Sequence, residues 1–157
     1  MRPAEKKKLM KTKSFQRFEK QSFSKLLIIS IISISITLLD QLIKALIIKD
    51  ILPISYTRNT GAGFGLFQDS AVLLIWVSII VVGIIFYLYD RIPVKEKLVQ
   101  LSTGLILGGT IGNLVDRIRL GYVVDFIDLN IWPSFNIADA AITIGAIGLI
   151  IYFLRKK

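Results

Sequence analysis

The chain has 157 residues, 54% of them hydrophobic, with 20 Lys+Arg against 11 Asp+Glu and a formal charge of +9. Its mean hydropathy of +0.65 is too apolar for an ordinary soluble domain of this length. Cysteine and histidine are both absent, which excludes a disulfide scaffold, a thiol nucleophile, a Cys/His zinc site, a Ser-His-Asp triad and an H-E-x-x-H metalloprotease.

Residues 1–25 form a basic arm with nine Lys and Arg and only Glu5 and Glu19 opposing them. Attraction to anionic lipid headgroups is its simplest role, and without an aromatic stacking pattern no nucleic-acid partner is expected. The first apolar run, 26–48, contains Asp40 and Lys44. Two charges cost about 5–7 kcal/mol in a span, and its 15 Leu and Ile residues offset that by about 5–9 kcal/mol. The charges are also spaced to pair one turn apart, so the run is accepted as a membrane span. It is too long for a signal-peptide core, lacks a small-residue cleavage site and is expected to stay attached.

The loop at 49–70 mixes β-formers (Ile51, Ile54, Tyr56, Thr57) with Gly61, Gly63 and Gly65, which predicts a short hairpin or ribbon at the membrane surface. Residues 71–89 carry no charge and make the clearest span. A basic turn at 90–97 follows, then a span at 98–115 in which Gly104, Gly108 and Gly112 recur every four residues, a stripe suited to close helix packing. The loop at 116–136 and a span at 137–154 complete the chain. These elements predict an all-α membrane protein of four transmembrane helices with a small extracytoplasmic β-ribbon. The 1–25 arm precedes a single membrane domain, 26–157. The distribution of Lys and Arg places both termini and the 90–97 turn in the cytoplasm, with the two longer loops outside.

On this topology Asp40, Asp116, Asp125, Asp128 and Asp139 lie near the outer boundary, with Asn59, Asn113, Arg117 and Asn136 in the same layer. Such a gathering in apolar surroundings suggests a site. Each residue also has a structural explanation. Asp40 can pair with Lys44, and Asp116 with Arg117 can anchor the interface. Asn136 followed by Asp139 reads as an N-cap with an acid in the first turn. Asp128 is expected in solvent. Asp125, between Val124 and Phe126, has the least structural reason to be acidic. Two carboxyls brought within hydrogen-bond reach cannot both ionise easily, so one keeps a proton while the other activates water. That is the chemistry of aspartic peptidases, and it requires neither metal nor cofactor. Asp125 and Asp139 could be joined by a loop turning at Trp132-Pro133-Ser134.

Four ordered segments carry a family resemblance: LLDQLIKALI (38–47), TRNTGAGFGLF (57–67), GGTIGNLVDRIRLGYVVDFIDL (108–129) and FNIADAAITIGA (135–146). They resemble the D-Q-x-x-K, N-x-G-A-x-F-G, V-V-D-F and F-N-x-A-D motifs of the bacterial lipoprotein signal peptidases. Gly63 stands where a second alanine is more usual. The resemblance implies an aspartyl endopeptidase of the bacterial cytoplasmic membrane that cuts diacylglyceryl-prolipoproteins just before the lipidated cysteine. It implies Asp125 and Asp139 as the catalytic pair, with Asp40, Asn59, Asn113, Asp116, Arg117 and Asn136 supporting the site or the substrate. Membrane lipids are its other expected partners and a monomer its expected state. Three competing classes are a small proton-coupled transporter using Asp40 or Asp139, a non-catalytic assembly subunit, and a metal peptidase with the two acids as ligands.

Overall fold

The structure, a computed structural model, describes residues 3–61 and 70–156, with side chains described from residue 22 onward. Gly63, Gly65 and Asp69 of the 49–70 loop lie outside these residues. Four helices make up most of the chain: α1 (Pro3–Ile48), α2 (Ala71–Tyr87), α3 (Lys97–Leu120) and α4 (Ile137–Arg155). A short 3-10 turn, Tyr89–Arg91, follows α2. Two strands, β1 (Thr57–Asn59) and β2 (Val123–Asp125), pair antiparallel, with Thr57 opposite Asp125 and Asn59 opposite Val123. The ribbon therefore joins the 49–70 and 116–136 loops to each other, a long-range pairing that local strand propensity could not reveal.

Three stretches are long and apolar enough to cross a membrane: Ser22–Ile48, Lys97–Leu120 and Ile137–Arg155. The stretch that is clearest by charge, 71–89, forms a shorter helix of 17 residues. Pro93 helps to close this helical segment, because the residue before a proline avoids the helical region; Ile92 is extended (ψ 121). By contrast, α3 runs past the expected end at 115 to Leu120. Gly121, at φ 79, caps it in the left-handed conformation, and Arg117 and Arg119 in the last turn suit the helix dipole. The charge at Asp116 does not end the helix because it is neutralised inside the bundle.

The helix α3 is the centre of the packing and touches α4, α1 and α2. Its glycine stripe receives α1: a Cβ at Gly104 would lie 2.9 Å from Ile32 Cβ, and one at Gly108 would lie 2.6 Å from Ser33 O. Large apolar side chains such as Leu38, Val72, Phe86 and Phe153 face outward, while Asp40, Lys44, Gln100, Asn113, Asp116, Asp125 and Asn136 are buried. Polar groups inside and hydrocarbon outside is the arrangement expected where lipid is the solvent. At the end of the bundle away from the ribbon, Lys25 Nζ donates to Tyr89 O (2.9 Å) and Ile92 O (3.4 Å), tying α1 to the turn between α2 and α3. Gln100 Nε2 donates to Pro93 O (3.1 Å) and Val94 O (2.7 Å) of the same turn.

Candidate active site

The ribbon end of the bundle is built on the return of the chain from β2 to α4. Ile127 and Phe135 form an antiparallel bridge, with Ile127 N donating to Phe135 O at 2.8 Å and Phe135 N to Ile127 O at 3.0 Å. This closes the loop carrying Trp132 and Pro133, and it brings Asp125 beside Asn136. Asn136 is the N-cap of α4 in a full capping box: Asp139 N donates to Asn136 Oδ1 (2.9 Å) and Asn136 N donates to Asp139 Oδ2 (3.3 Å).

That cap also fixes the Asn136 amide, so its Nδ2 is free to donate elsewhere. It donates to Asp125 Oδ1 at 2.7 Å and to Asn113 Oδ1 at 3.1 Å. Asn113 Nδ2 in turn donates to Asp139 Oδ1 at 2.7 Å. Asn59, on β1, donates from Nδ2 to Asp125 Oδ2 at 2.8 Å. Asp125 and Asp139 are thus bridged by Asn136 alone and again by Asn136 with Asn113. Burial pushes the Asp125 carboxyl up from its ordinary range to about 6, and nearby Asp139 adds to the rise; donation from Asn59 and Asn136 and the Lys44 charge oppose it.

The other expected site residues fall around this pair. Asp40 and Asp116 each lie 2.8 Å from Lys44 Nζ in buried ion pairs. Asp40 thus takes the pairing with Lys44 that its spacing suggests, whereas Asp116 pairs with Lys44 and not with Arg117. Breaking a buried pair by removing one partner costs about 3–5 kcal/mol. Arg117 Nη2 reaches Gly61 O at 3.4 Å, and its buried Nε has no hydrogen-bond partner among the described residues. Asp128 is exposed and accepts from Asn130 N at 2.8 Å in a local turn, away from the pair. Two residues of this network carried little weight in the sequence. Lys44 was visible only as a neighbour of Asp40, and Gln41, which donates to Asp116 Oδ1 at 2.7 Å and Gly112 O at 3.1 Å, gave no signal beyond its place in the D-Q-x-x-K segment.

Two cavities meet here. One of about 520 Å³ opens between α2, α3 and α4, with Leu74, Val77, Val81 and Ile142 on its walls and Asn59, Asn113, Arg117 and Asp139 at its polar end. A second of about 370 Å³ is bounded by Leu129, Trp132, Phe135, Asp139, Thr143 and Ile144. Asp139, Trp132 and Phe135 belong to both. Asp125 is only 1% exposed, and Asn59 stands between it and the larger cavity.

Residues 23–155 match the family model described as signal peptidase (SPase) II. The chain is 40% identical over 139 residues to the lipoprotein signal peptidase of Halothermothrix orenii, covering 81% of this chain and 95% of that protein. Against the lipoprotein signal peptidase of Caldanaerobacter subterraneus subsp. tengcongensis it is 39% identical over 125 residues, covering 71% and 86%. A bacterial membrane enzyme structure solved by the in meso method at 2.3 Å resolution superposes with TM-score 0.71 at 30% identity, covering 84% of this chain and 88% of that one. Together with the lipid-facing bundle, these likenesses define a bacterial membrane peptidase. The chain belongs to the signal peptidase II family.

Proposed function

We propose that this peptidase removes signal peptides from diacylglyceryl-modified prolipoproteins, cutting before the lipidated cysteine with Asp125 and Asp139 as an aspartyl dyad. The observation that carries this reading is the position of Asp139 where two largely apolar cavities meet, with Asp125 hydrogen-bonded through the same asparagine. A substrate whose scissile bond joins an apolar peptide to a lipidated residue has two apolar limbs meeting at the reacting carbonyl. The names of the relatives support the same substrate class. The missing cysteine fits as well, since the thioether belongs to the substrate.

The dyad holds one proton. Its ionised member takes a proton from water as the water oxygen attacks the carbonyl carbon, and its protonated member gives its proton to the carbonyl oxygen. Collapse of the tetrahedral diol breaks the C–N bond; the first acid returns its proton to the leaving amine, and the second recovers one from the diol. No acyl-enzyme forms. Asp139 lines the cavities and is assigned to meet the water. The pair titrates as a unit, and Asp125 is reached once substrate displaces the Asn59 amide. Arg117 and the asparagines orient the substrate backbone or lipid ester.

All four helices cross the bilayer in this proposal, with both termini cytoplasmic, the dyad near the outer face and a monomer as the working unit. The test is cleavage of a diacylglyceryl-modified prolipoprotein by purified wild type beside Asp125→Asn and Asp139→Asn, with folding checked by thermal unfolding. Asparagine keeps the size and polarity of each side chain and cannot cycle the proton. Both variants are expected to fold and lose turnover by about 10⁴-fold or more. Folded variants that still cut would make the acids structural.

A further inference from the structure

Lys44 is 1% exposed and lines neither cavity, yet every hydrogen of its ammonium has an acceptor in the site. It lies 2.8 Å from Asp40 Oδ2 and 2.8 Å from Asp116 Oδ2, and it donates to Asn113 Oδ1 at 3.2 Å. The far ends of those two carboxylate links are specific. Asp40 Oδ1 accepts from Ala138 N at 3.0 Å, and Ala138 immediately precedes Asp139. Asp116 Oδ2 accepts from Val124 N at 3.2 Å, and Val124 immediately precedes Asp125. One buried cation on α1 therefore holds, through two carboxylates, the backbone just before each acid of the pair. Through Asn113 it also reaches the Asp139 side chain directly.

We infer that Lys44 is a positioning residue that sets the spacing of Asp125 and Asp139 and the ease with which they share a proton, without touching substrate. This rests on the dyad reading above. Among the described residues, the charged groups around the pair come from three helices: Asp40 and Lys44 on α1, Asp116 and Arg117 on α3, and Asp139 itself on α4. No charge lies within α2, and from β1 the Asn59 amide donates to the Asp125 carboxylate and the Thr57 hydroxyl to the Asp125 backbone O at 3.4 Å. Lys44 and Arg117 are the two cations of that set, and Lys44 opposes protonation of Asp125. Without Lys44, Asp125 keeps its proton to higher pH and the two carboxyls drift apart.

The test uses the purified full chain and a diacylglyceryl-modified prolipoprotein, with Lys44→Met compared with wild type, Asp125→Asn and Asp139→Asn. Lys44→Met is expected to lower kcat about 100-fold with KM within about threefold of wild type, and to move the descending limb of kcat/KM to higher pH. Lys44→Arg keeps the charge but not the compact three-way geometry, so it should restore the limb while leaving kcat low. A kcat within about twofold of wild type overturns the inference. So does a folded variant that loses kcat with the limb unmoved, since that is a packing effect alone. Should Lys44→Met fail to fold, Asp40→Asn/Lys44→Met removes one ion pair as a neutral unit; a shifted limb on that protein supports the inference. An unmoved limb, or failure of the double variant to fold, overturns it. Inactive Asn variants beside an unaffected Lys44→Met sink this inference alone, whereas active Asn variants sink the dyad reading beneath it.

Discussion

Two amides of fixed orientation surround Asp125. Gly61 N donates to Asn59 Oδ1 at 3.0 Å, and Asp139 N donates to Asn136 Oδ1, so both side chains must turn their Nδ2 groups toward the carboxylate. Both Asp125 oxygens accept, which favours the ionised form, and burial still prevails to hold the group at about 6. The sign for stability follows. The folded carboxyl binds its proton more tightly than the unfolded one at 3.8, so its contribution favours the fold at low pH and is lost as pH rises to about 6. For catalysis the same ionisation removes the acid partner, so kcat/KM should fall as pH rises through about 6 in the free enzyme. Asn59→Leu deletes one donor to the ionised form without admitting water. A hydrogen bond to a charged group contributes about 1.5–3 kcal/mol, so the descending limb should move up by about one unit and kcat fall by about 10-fold to 100-fold. A pH profile of the variant checks this; a limb that stays at about 6 would show that Asn59 does not govern the proton on Asp125.

The packing of α1 on α3 depends on glycines that separate stability from chemistry. At Gly108 a methyl group would lie 2.6 Å from Ser33 O and 2.9 Å from Ser33 Cα, both backbone atoms that move only with the helix. At Gly112 the nearest atom is Asp40 Oδ2 at 2.9 Å, followed by Ala138 Cβ at 3.3 Å, so a methyl group there pushes on the site. Gly108→Ala is expected to cost about 1–3 kcal/mol of overpacking, read as a lower Tm in detergent with kcat largely kept. Gly112→Ala should lose at least about tenfold in kcat for a smaller change in Tm. Equal effects of the two variants on both quantities would contradict this division. The stripe itself was legible from its four-residue spacing, as were the apolar runs and the Asn136 cap. The pairing of β1 with β2 was not, because its strands are three residues each and lie more than 60 positions apart. Nor was the position of Lys44 between two carboxylates: local spacing exposes the pairing with Asp40 one turn away, while the link to Asp116 exists only once α1 lies on α3.

Across the whole molecule the two ends of the bundle handle charge differently. One end carries exposed Arg91 and Lys95 in the turn between α2 and α3, Lys97 at the start of α3, and Arg155 and Lys156 at the end of α4, with buried Lys25 clamping that turn from α1. The opposite end buries Asp40, Lys44, Asp116 and Asp125 in one network. Such an asymmetry supports the proposed orientation, with the basic end in the cytoplasm, and α2 decides whether that topology closes. Its 17 residues rise only about 25 Å against a hydrocarbon core of about 30 Å, so the proposed crossing requires local thinning or the flanking Ser70 and Tyr89 at the interfaces. The absence of cysteine makes the question directly testable with single cysteines and a membrane-impermeant maleimide. Cysteines at Arg58 and at Ile131, which is 91% exposed, should label in intact spheroplasts, and one at Lys95 should label only in inside-out vesicles. If Lys95 and Arg58 label from the same side, α2 does not cross, β1 and β2 would lie on opposite sides of the bilayer, and the ribbon that pairs them would be contradicted. If all three positions label from the sides opposite to those expected, the orientation is inverted, and the site would face the compartment where the signal peptide is made.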